Sequence, residues 1–353
     1  MKEFYRSTVI QAQTKIRRER ALPKGGEIVV RVGQEVSPIQ VVARTTMATE
    51  FAIMSAAEKL GIEPHELGDY LKVEKGAPVE AGAVLASRKH FLRETQVLSP
   101  VDGLFFDVVN GRIAIQPTSD WLELRALVAG RVVSYVGNRG VMLETSGSLI
   151  QAAWGSGQEG VGHLKTVANA PNTVLTPEHL SGDVTGQVLA IGRMDNLELF
   201  HRAEDFGVRG LIVGSATAEL CRASQASPLP LIVTDGIGKQ GMAEPVFELL
   251  RQADGRSVSL FGAYKAGAGQ RAEIILPQAA TIGLEIPTVK KSLEPGQKVR
   301  ILSTAHAGRV GTVQHIYNHL QSTEVGLKVA GVDVLLSDGQ TVFVPSANLD
   351  VIV

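Results

Sequence analysis

Three segments in the second half of the chain combine glycine, hydroxyl and charged residues, and each directly follows a run of aliphatic residues. They occupy residues 192–195, 214–217 and 234–241. The residues in them that are suited to binding are Gly192, Arg193, Asp195, Gly214, Ser215, Thr217, Thr234, Asp235, Gly236, Gly238 and Lys239. Backbone amides at helix N-termini hold phosphate groups, and Arg193 and Lys239 add positive charge nearby. The segments therefore form a candidate site for a phosphate or a nucleotide.

The aliphatic runs before these segments predict a small parallel α/β domain over residues 181–263. The runs VLAIG, GLIVGSA and LPLIVTDG alternate with helix-length stretches such as MDNLELFHRAEDFG, which is the pattern of β-α-β units. Open parallel sheets bind ligands beyond the carboxyl ends of their strands, which is where the three segments lie. However, every turn from strand to helix needs small and helix-capping residues, and Asp195, Ser215 and Thr217 suit that role as well. We therefore favour the interpretation that these residues form ordinary turns from strand to helix, and a ligand site is the alternative.

Two glycine motifs fail the requirements for nucleotide binding. The run GIGK at residues 236–239 is not a P-loop, because Val233 stands where the first glycine belongs and Gln240 replaces serine or threonine. Residues 155–160 match G-x-G-x-x-G, but a dinucleotide-binding motif must open a helix. The residues that follow, VGHLKTVA, are too β-branched for that helix, so we expect a glycine-rich loop between strands.

No local pattern predicts a metal ion or a catalytic nucleophile. His315 and His319 have i, i+4 spacing in an expected barrel loop, but Ile316 stands where an H-E-x-x-H zinc site needs glutamate. The single cysteine, Cys221, lies in the amphipathic run ATAELCRAS, which predicts a small buried side chain. We therefore expect no metal site, and an enzymatic role is the less favoured interpretation.

The composition narrows the classes of function. The chain has 353 residues, of which 44% are hydrophobic and 5% aromatic, and its formal net charge is −1. The charge gives no overall attraction to nucleic acids or anionic membranes, and few aromatic residues are available for stacking on single-stranded bases. No apolar run reaches the length of a membrane span, and the N-terminal segment MKEFYRSTVI lacks the apolar core of a signal peptide. We expect a cytoplasmic protein.

Frequent glycine and proline between short Val/Ile-rich runs predict a multidomain, β-rich chain. The predicted units are a β module at 1–118 with a helical insert at 46–71, a small β unit and linker at 119–180, the α/β domain at 181–263, a linker with one strand at 264–287, and a C-terminal barrel at 288–353. In the insert, apolar residues recur at helical spacing from Met47 to Leu60, between Thr46 as N-cap and Gly61 as the terminating residue.

The stretch VEAGAVLASRKHFLRETQVLSPVDG at residues 79–103 carries V-x-x-G-x-x-L-A before a short tip and S-P-V-x-G after it. In both motifs it resembles the central hairpin of biotinyl and lipoyl carrier domains. Counted without gaps, Leu92 occupies the position of the carrier lysine, and Lys89 reaches the tip only if the register slips. With a weak copy of the pattern in VRVGQEVSPIQVVAR, the resemblance covers residues 27–118. It implies a barrel-sandwich hybrid that carries no biotin or lipoyl group.

Residues 288–353 resemble a KOW-type SH3-like barrel. The matching residues are Gly296-x-x-Val299-x-Ile301, Gly308-x-x-Gly311-x-Val313, and Val342-x-Val344 before Asn348-Leu349. The run DVLLSDGQTVFV predicts a hairpin that turns at Asp338 and Gly339. Such barrels occur in transcription elongation factors and ribosomal proteins, which implies contact with RNA or a ribonucleoprotein. Positive and negative residues nearly balance in this segment, however, so it suits protein contacts at least as well.

The sequence as a whole predicts a non-enzymatic multidomain binding or scaffold protein that acts in a protein or ribonucleoprotein assembly. No family covers the whole chain. The first alternative is a phosphate- or nucleotide-binding, or enzymatic, α/β protein with its site at the strand ends of residues 181–263. The second is nucleic-acid binding through the KOW-like barrel and the basic run KIRRER at residues 15–20, with a weak RNA contact. No cofactor and no membrane partner are expected.

Overall fold

Strands dominate the computed structural model and fall into several sheets. This confirms the predicted β-rich character of the chain. The structure describes residues 6–46, 51–90, 93–117, 121–264, 270–279, 283–287, 292–302, 306–323 and 326–353.

The first part of the chain consists of strands joined by turns. These strands are β1 (Arg6–Thr8), β2 (Ile10–Ala21), β3 (Glu27–Ile28), β4 (Glu35–Val36) and β5 (Val41–Thr46). Strand β2 alternates, with Thr14, Ile16 and Arg20 buried on one side and Arg17 exposed on the other. This alternation places one face of β2 on a core and the other in solvent.

Residues 51–117 form a unit with a hydrophobic core of its own, which includes Leu67, Leu85 and Ile113. Its elements are β6 (Ala52–Met54), α1 (Ala56–Leu60), a 3-10 helix (Pro64–Tyr70), β7 (Pro78–Val79), β8 (Val84–His90), β9 (Arg93–Leu98), β10 (Gly103–Val109) and β11 (Arg112–Pro117). Four strands form a sheet in the order β6-β11-β10-β7, and β8 and β9 form a separate hairpin.

The helix predicted from Met47 to Leu60 is wrong over its first part. Met54 belongs to strand β6, which pairs with β11 through Ile113, and Thr46 ends strand β5. Helix α1 begins only after this strand, because pairing with a sheet edge overrides apolar spacing. Gly61 ends the helix in the left-handed conformation, with a φ of 63°, which is favourable for glycine. Met47 lies outside the described residues.

The middle of the chain builds the largest sheet. Its elements are β12 (Trp121–Arg125), β13 (Gly130–Val136), β14 (Gly140–Gln151), β15 (Trp154–Gly155), β16 (Glu159–Thr166), a 3-10 helix (Pro177–Leu180), β17 (Gln187–Met194), α2 (Leu197–Asp205), β18 (Gly210–Ala216), α3 (Ala218–Ser224), β19 (Leu231–Ile237), α4 (Glu244–Gln252), β20 (Ser257–Phe261) and β21 (Glu273–Pro277). The order is β15-β19-β18-β17-β16-β20-β21-β14-β13-β4, and β2 pairs with β14.

Within this sheet, β16, β17, β18 and β19 pair in parallel, and α2 and α3 connect the last three. Apolar cores cover both faces of these strands. Strand β16 also pairs in antiparallel fashion with β20, which continues through β21 to β14. The parallel strands and the β unit before them therefore share one continuous sheet, and the predicted boundary at residue 180 falls inside it.

The last part of the chain forms a sheet of its own together with the N-terminal strand. Its elements are β22 (Lys298–Ile301), β23 (Val310–Ile316), β24 (Gln321–Ser322), β25 (Lys328–Val329), β26 (Gly331–Leu336), β27 (Thr341–Pro345), a 3-10 helix (Ser346–Asn348) and β28 (Leu349–Ile352). The sheet order is β1-β28-β22-β23-β26-β27, so the N-terminal strand completes it. The predicted hairpin is present: β26 pairs with β27 and Gly339 has a φ of 83°.

The pairing of β5 with β12 changes the organisation expected for the N-terminal region. Thr46 pairs with Trp121, so the unit of residues 51–117 is inserted between two neighbouring strands. Val30, Val36 and Val42 pack with residues beyond position 125, whereas Leu85 and Val97 pack within the inserted unit. The two copies of the repeat seen in the sequence thus lie in different cores. The two short helices in the region of the predicted helical insert, α1 and the 3-10 helix of Pro64–Tyr70, belong to this inserted unit.

Candidate functional site

The predicted site residues meet at one edge of the parallel strands. Gly192, Arg193 and Asp195 lie at the end of β17, Gly214, Ser215 and Thr217 at the end of β18, and Thr234, Asp235, Gly236, Gly238 and Lys239 at the end of β19. Of the three predicted helix caps, only Thr217 accepts a capping hydrogen bond. Asn196 caps α2 in place of Asp195, and the Ser215 hydroxyl donates to the carbonyl of Gln240.

Neighbouring backbone fills the space above these strand ends. A Cβ atom on Gly192 would lie 2.3 Å from the carbonyl oxygen of Pro171, and one on Gly214 would lie 2.4 Å from the amide nitrogen of Met242. The Met242 amide donates to the Pro171 carbonyl at 2.8 Å, which joins the two covering segments. The glycines at these two strand ends therefore serve close packing of backbone.

The end of β19 is closed by a side chain that comes from the C-terminal unit. Arg300, in β22, is 1% exposed. Its Nη1 donates to Oδ1 of Asp235 at 2.7 Å and to the carbonyl of Thr234 at 2.9 Å. Its Nη2 donates to Oδ2 of Asp350 at 2.6 Å. The Asp235 carboxylate predicted to face a ligand is thus engaged by an arginine of the same chain.

Two further contacts extend this buried group, which we call the Arg300 clamp: Thr8, Asp235, Arg300 and Asp350. The Thr8 hydroxyl donates to Oδ2 of Asp350 at 2.6 Å, and Oδ2 of Asp235 accepts from the amide of Ala243 at 3.1 Å. Burial on its own lowers the pKa of the Arg300 guanidinium, but the charges and hydrogen bonds of the two aspartates outweigh it and raise that pKa. The guanidinium of the clamp is therefore held in its charged form.

Of the charged residues that remain at this edge, Arg193 and Asp195 pair with one another. Nη2 of Arg193 lies 3.5 Å from Oδ2 of Asp195, and its Nη1 donates to the carbonyl of Lys239 at 3.2 Å. The Lys239 side chain is exposed. These three residues lie on the surface beside the closed strand ends.

A cleft of about 950 Å³ lies at the opposite edge, where the parallel strands begin. One wall consists of the turns before β17, β18 and β19, including Gly186, Val208 and Leu229. The other wall is strand β12, whose residues Leu122 to Arg125 all line the cleft. Among the described lining residues there is no histidine, cysteine or serine.

The floor of the cleft is an arginine–glutamate pair. Nη1 and Nη2 of Arg20 donate to Oε1 and Oε2 of Glu159 at 2.5 and 2.8 Å, in the bidentate geometry of a strong pair. Nε of Arg20 donates to the carbonyl of Arg125 at 3.0 Å, which ties β2 to the end of β12. The last arginine of the run KIRRER is thus a structural residue.

Sequence reasoning missed the Arg300 clamp because its members are far apart along the chain. Thr8 and Asp350 are 342 positions apart. A local signal was nevertheless present: Arg300 and Asp350 each stand between two aliphatic residues, in V-R-I and L-D-V. Charged residues in such a context are rarely buried unless they are paired. No local sequence pattern indicates the cleft, because its walls are formed by separate turns and by strand β12.

The structure also shows where the other features singled out in the sequence lie. The G-x-G-x-x-G match opens strand β16 instead of a helix, as expected of a glycine-rich β loop. Cys221 is buried, and burial raises the pKa of its thiol to about 11. His315 lies in strand β23 rather than in a loop, and the described residues contain no cluster of metal ligands. Leu92 lies outside the described residues, while Lys89 pairs with Glu94 in the β8–β9 hairpin.

No protein-family model matches this chain, and no curated protein is significantly similar to it. Within the described residues, every helix is too short or too polar to span a bilayer.

Proposed function

We propose that this protein is a non-enzymatic scaffold that binds a protein partner through one face of its inserted unit. The observation that carries the proposal is a group of large apolar side chains on the outer side of sheet β6-β11-β10-β7. We call this group the apolar face: Phe51, Ile53, Leu104 and Phe106. Their exposed fractions are 42%, 63%, 45% and 47%.

The strand pattern places these four side chains on the same side of the sheet. Leu104 and Phe106 alternate with the buried Phe105, and Phe51 and Ile53 lie two positions apart at the edge strand. The rings of Phe51 and Phe106 are 4.6 Å apart between centroids. Phe51 and Phe106 thus contact each other on the side of the sheet that also carries Ile53 and Leu104, and clustered exposed apolar side chains are typical of interaction sites.

The charges around the apolar face favour a protein as the partner. Nζ of Lys75 lies 2.5 Å from Oδ2 of Asp107, and it also lies 6.0 Å from the centre of the Phe106 ring. This lysine is already neutralised, so it adds little attraction for phosphate groups. Aromatic side chains at the centre of an apolar patch are the usual anchors of protein interfaces.

Charge pairing elsewhere argues against the nucleic-acid alternative. Arg17 pairs with Glu144 at 2.8 Å, Arg18 pairs with Glu273, and Arg20 pairs with Glu159. The basic run KIRRER is therefore largely neutralised within the protein. Nucleic-acid affinity depends on cations that are free to replace counterions.

The closure of the strand ends argues against the enzymatic alternative. The Arg300 clamp and the packing at Gly192 occupy the edge where an α/β protein usually holds its ligand. In this function the chain uses no cofactor. The inserted unit resembles carrier domains in architecture and carries no biotin or lipoyl group. The KOW-like C-terminal unit is proposed as a structural partner of the large sheet.

The experiment is retention of partners from a native lysate by the full chain and by a Phe51→Ser/Phe106→Ser double variant. Loss of the central aromatic anchors is expected to lower the retained amount of a specific partner at least about tenfold. Leu320→Ser is the matched control, because Leu320 is 58% exposed but lies in the C-terminal unit. Equal retention by the wild-type chain and the double variant would contradict the proposal.

A further inference from the structure

Strand β12 has a free edge, and that edge opens into the large cleft. The strand belongs to a sheet in the order β12-β5-β3, so within the described residues it pairs on one side only. Four consecutive residues of β12, from Leu122 to Arg125, line the cleft. One face of a strand would contribute only every second residue. The cleft therefore meets the backbone edge of β12.

The neighbouring pairs show which backbone groups point outward. On the far side of β5, the carbonyl of Val42 accepts from the amide of Val29, so the backbone of Ala43 points toward β12. Ala43 pairs with Leu124, which directs the backbone of Leu124 inward and that of Glu123 outward. The Arg125 carbonyl is already taken by Arg20. The amide and carbonyl of Glu123 and the amide of Arg125 are left facing the cleft.

The opposite wall suits the side chains of an added strand. Val208, Leu229 and Pro230 give it apolar surface. Arg125 and Arg209 line the same cleft, are exposed, and have no ion-pair partner among the described residues. The lining holds three arginines and three glutamates, so its charges balance overall, and Arg125 and Arg209 supply positive charge only locally.

We infer that this cleft binds an extended peptide segment of a partner protein, which adds to β12 as a further strand. Strand β12 has five residues, so the paired segment spans about 17 Å. Backbone pairing with Glu123 and Arg125 supplies affinity, and an acidic residue beside Arg125 and Arg209 together with an apolar residue on the Val208 wall supplies selectivity. This surface is separate from the apolar face, so the inference goes beyond the proposed function.

The experiment selects random peptides displayed on phage against the full chain and then studies the most enriched peptide in synthetic form. Affinity is measured for a series in which each backbone amide is methylated in turn. Strand addition predicts losses of at least about tenfold at alternate positions, because every second amide of an added strand pairs with β12. Methylation of the peptide leaves the protein unchanged, so misfolding does not affect this result.

Protein variants give the matching measurement. Glu123→Pro removes the outward amide and is expected to weaken binding about tenfold relative to Glu123→Ala, which keeps that amide. Arg209→Ala is expected to weaken acidic peptides more than neutral ones. Phe106→Ser, which changes only the apolar face, is expected to bind the peptide as the wild type does, so this test is independent of the proposed function.

Four outcomes would overturn the inference. The first three are the absence of any enriched peptide, methylation losses without a period of two, and equal binding by Glu123→Pro and Glu123→Ala. Edge-to-edge dimerisation of the full chain that Glu123→Pro abolishes would also overturn it, because the occupant would then be a second copy.

Discussion

At the scale of single residues, Arg300 joins three distant parts of the chain. Its guanidinium contacts Asp235 in the large sheet and Asp350 in the C-terminal sheet, and Asp350 in turn accepts from Thr8 near the N-terminus. All four side chains are buried. Removing one member of such a group leaves an uncompensated charge inside the protein, which costs more than the intact group contributes.

Arg300→Met is therefore expected to lower the free energy of unfolding by about 3–5 kcal/mol, as measured by urea denaturation. Methionine fills much of the volume but leaves Asp235 buried without its cation, while Asp350 keeps only Arg271, whose Nη2 lies 4.0 Å from its Oδ1. The triple variant that adds Asp235→Asn and Asp350→Asn is expected to recover part of this loss, because both buried carboxylates are then replaced by neutral amides. A single variant within about 1 kcal/mol of the wild type would contradict the clamp.

At the scale of elements, the glycines at the strand ends lie where the backbone around Pro171 and Met242 packs closely against the strands. Gly192→Ala is expected to lower the free energy of unfolding by about 1–3 kcal/mol, because the added Cβ meets the backbone of Pro171, which no side-chain rotation relieves. Gly68→Ala is the control, since a Cβ on Gly68 meets nothing within 4 Å. Thermal unfolding of both variants checks this. Equal melting temperatures would mean that the strand ends are open.

The elements that the sequence predicted well are those with a local pattern. The aliphatic runs that became β17, β18 and β19 and the hairpin at Gly339 all combine a run of apolar residues with turn or capping residues. The early helix failed because its apolar spacing competed with pairing of Met54 to Ile113, a partner far along the chain. Spacing alone does not reveal such a partner.

Prediction of the candidate site from local sequence patterns was limited in the same way. The sequence patterns predicted that the eleven candidate residues lie at one edge of the sheet, since the ends of parallel strands meet there. The patterns did not predict that Arg300 and Pro171 cover this edge, because both residues lie outside the predicted segments. Likewise, the cleft depends on the pairing of β12 with β5, across the whole inserted unit.

At the scale of the whole molecule, the chain is a large body with an inserted unit. Strand β1 completes the C-terminal sheet, and β2 continues into the large sheet, so the two ends of the chain fold together. Among the described residues, the hydrogen bonds and ion pairs of residues 51–116 all stay within the inserted unit. The paired residues Thr46 and Trp121 mark where the chain leaves the body and returns to it.

This arrangement predicts that the inserted unit is dispensable for folding of the body. Replacing residues 47–120 by a short Gly/Ser linker is expected to leave a folded chain whose free energy of unfolding changes by no more than about 1 kcal/mol. The linker has only a short distance to cover, because directly paired residues on antiparallel strands have Cα atoms about 5 Å apart. Circular dichroism and urea denaturation of the shortened chain measure this.

Deletion of residues 93–117 alone is the matched control. That change removes β9, β10 and β11 but keeps Leu67 and Leu85, so it leaves half of a core exposed. We expect this chain to aggregate, although it loses fewer residues than the complete deletion does. If the complete deletion unfolds the body as well, the core around Val36 and Val132 must depend on contacts with the inserted unit, and the division into a body and an insert would be wrong.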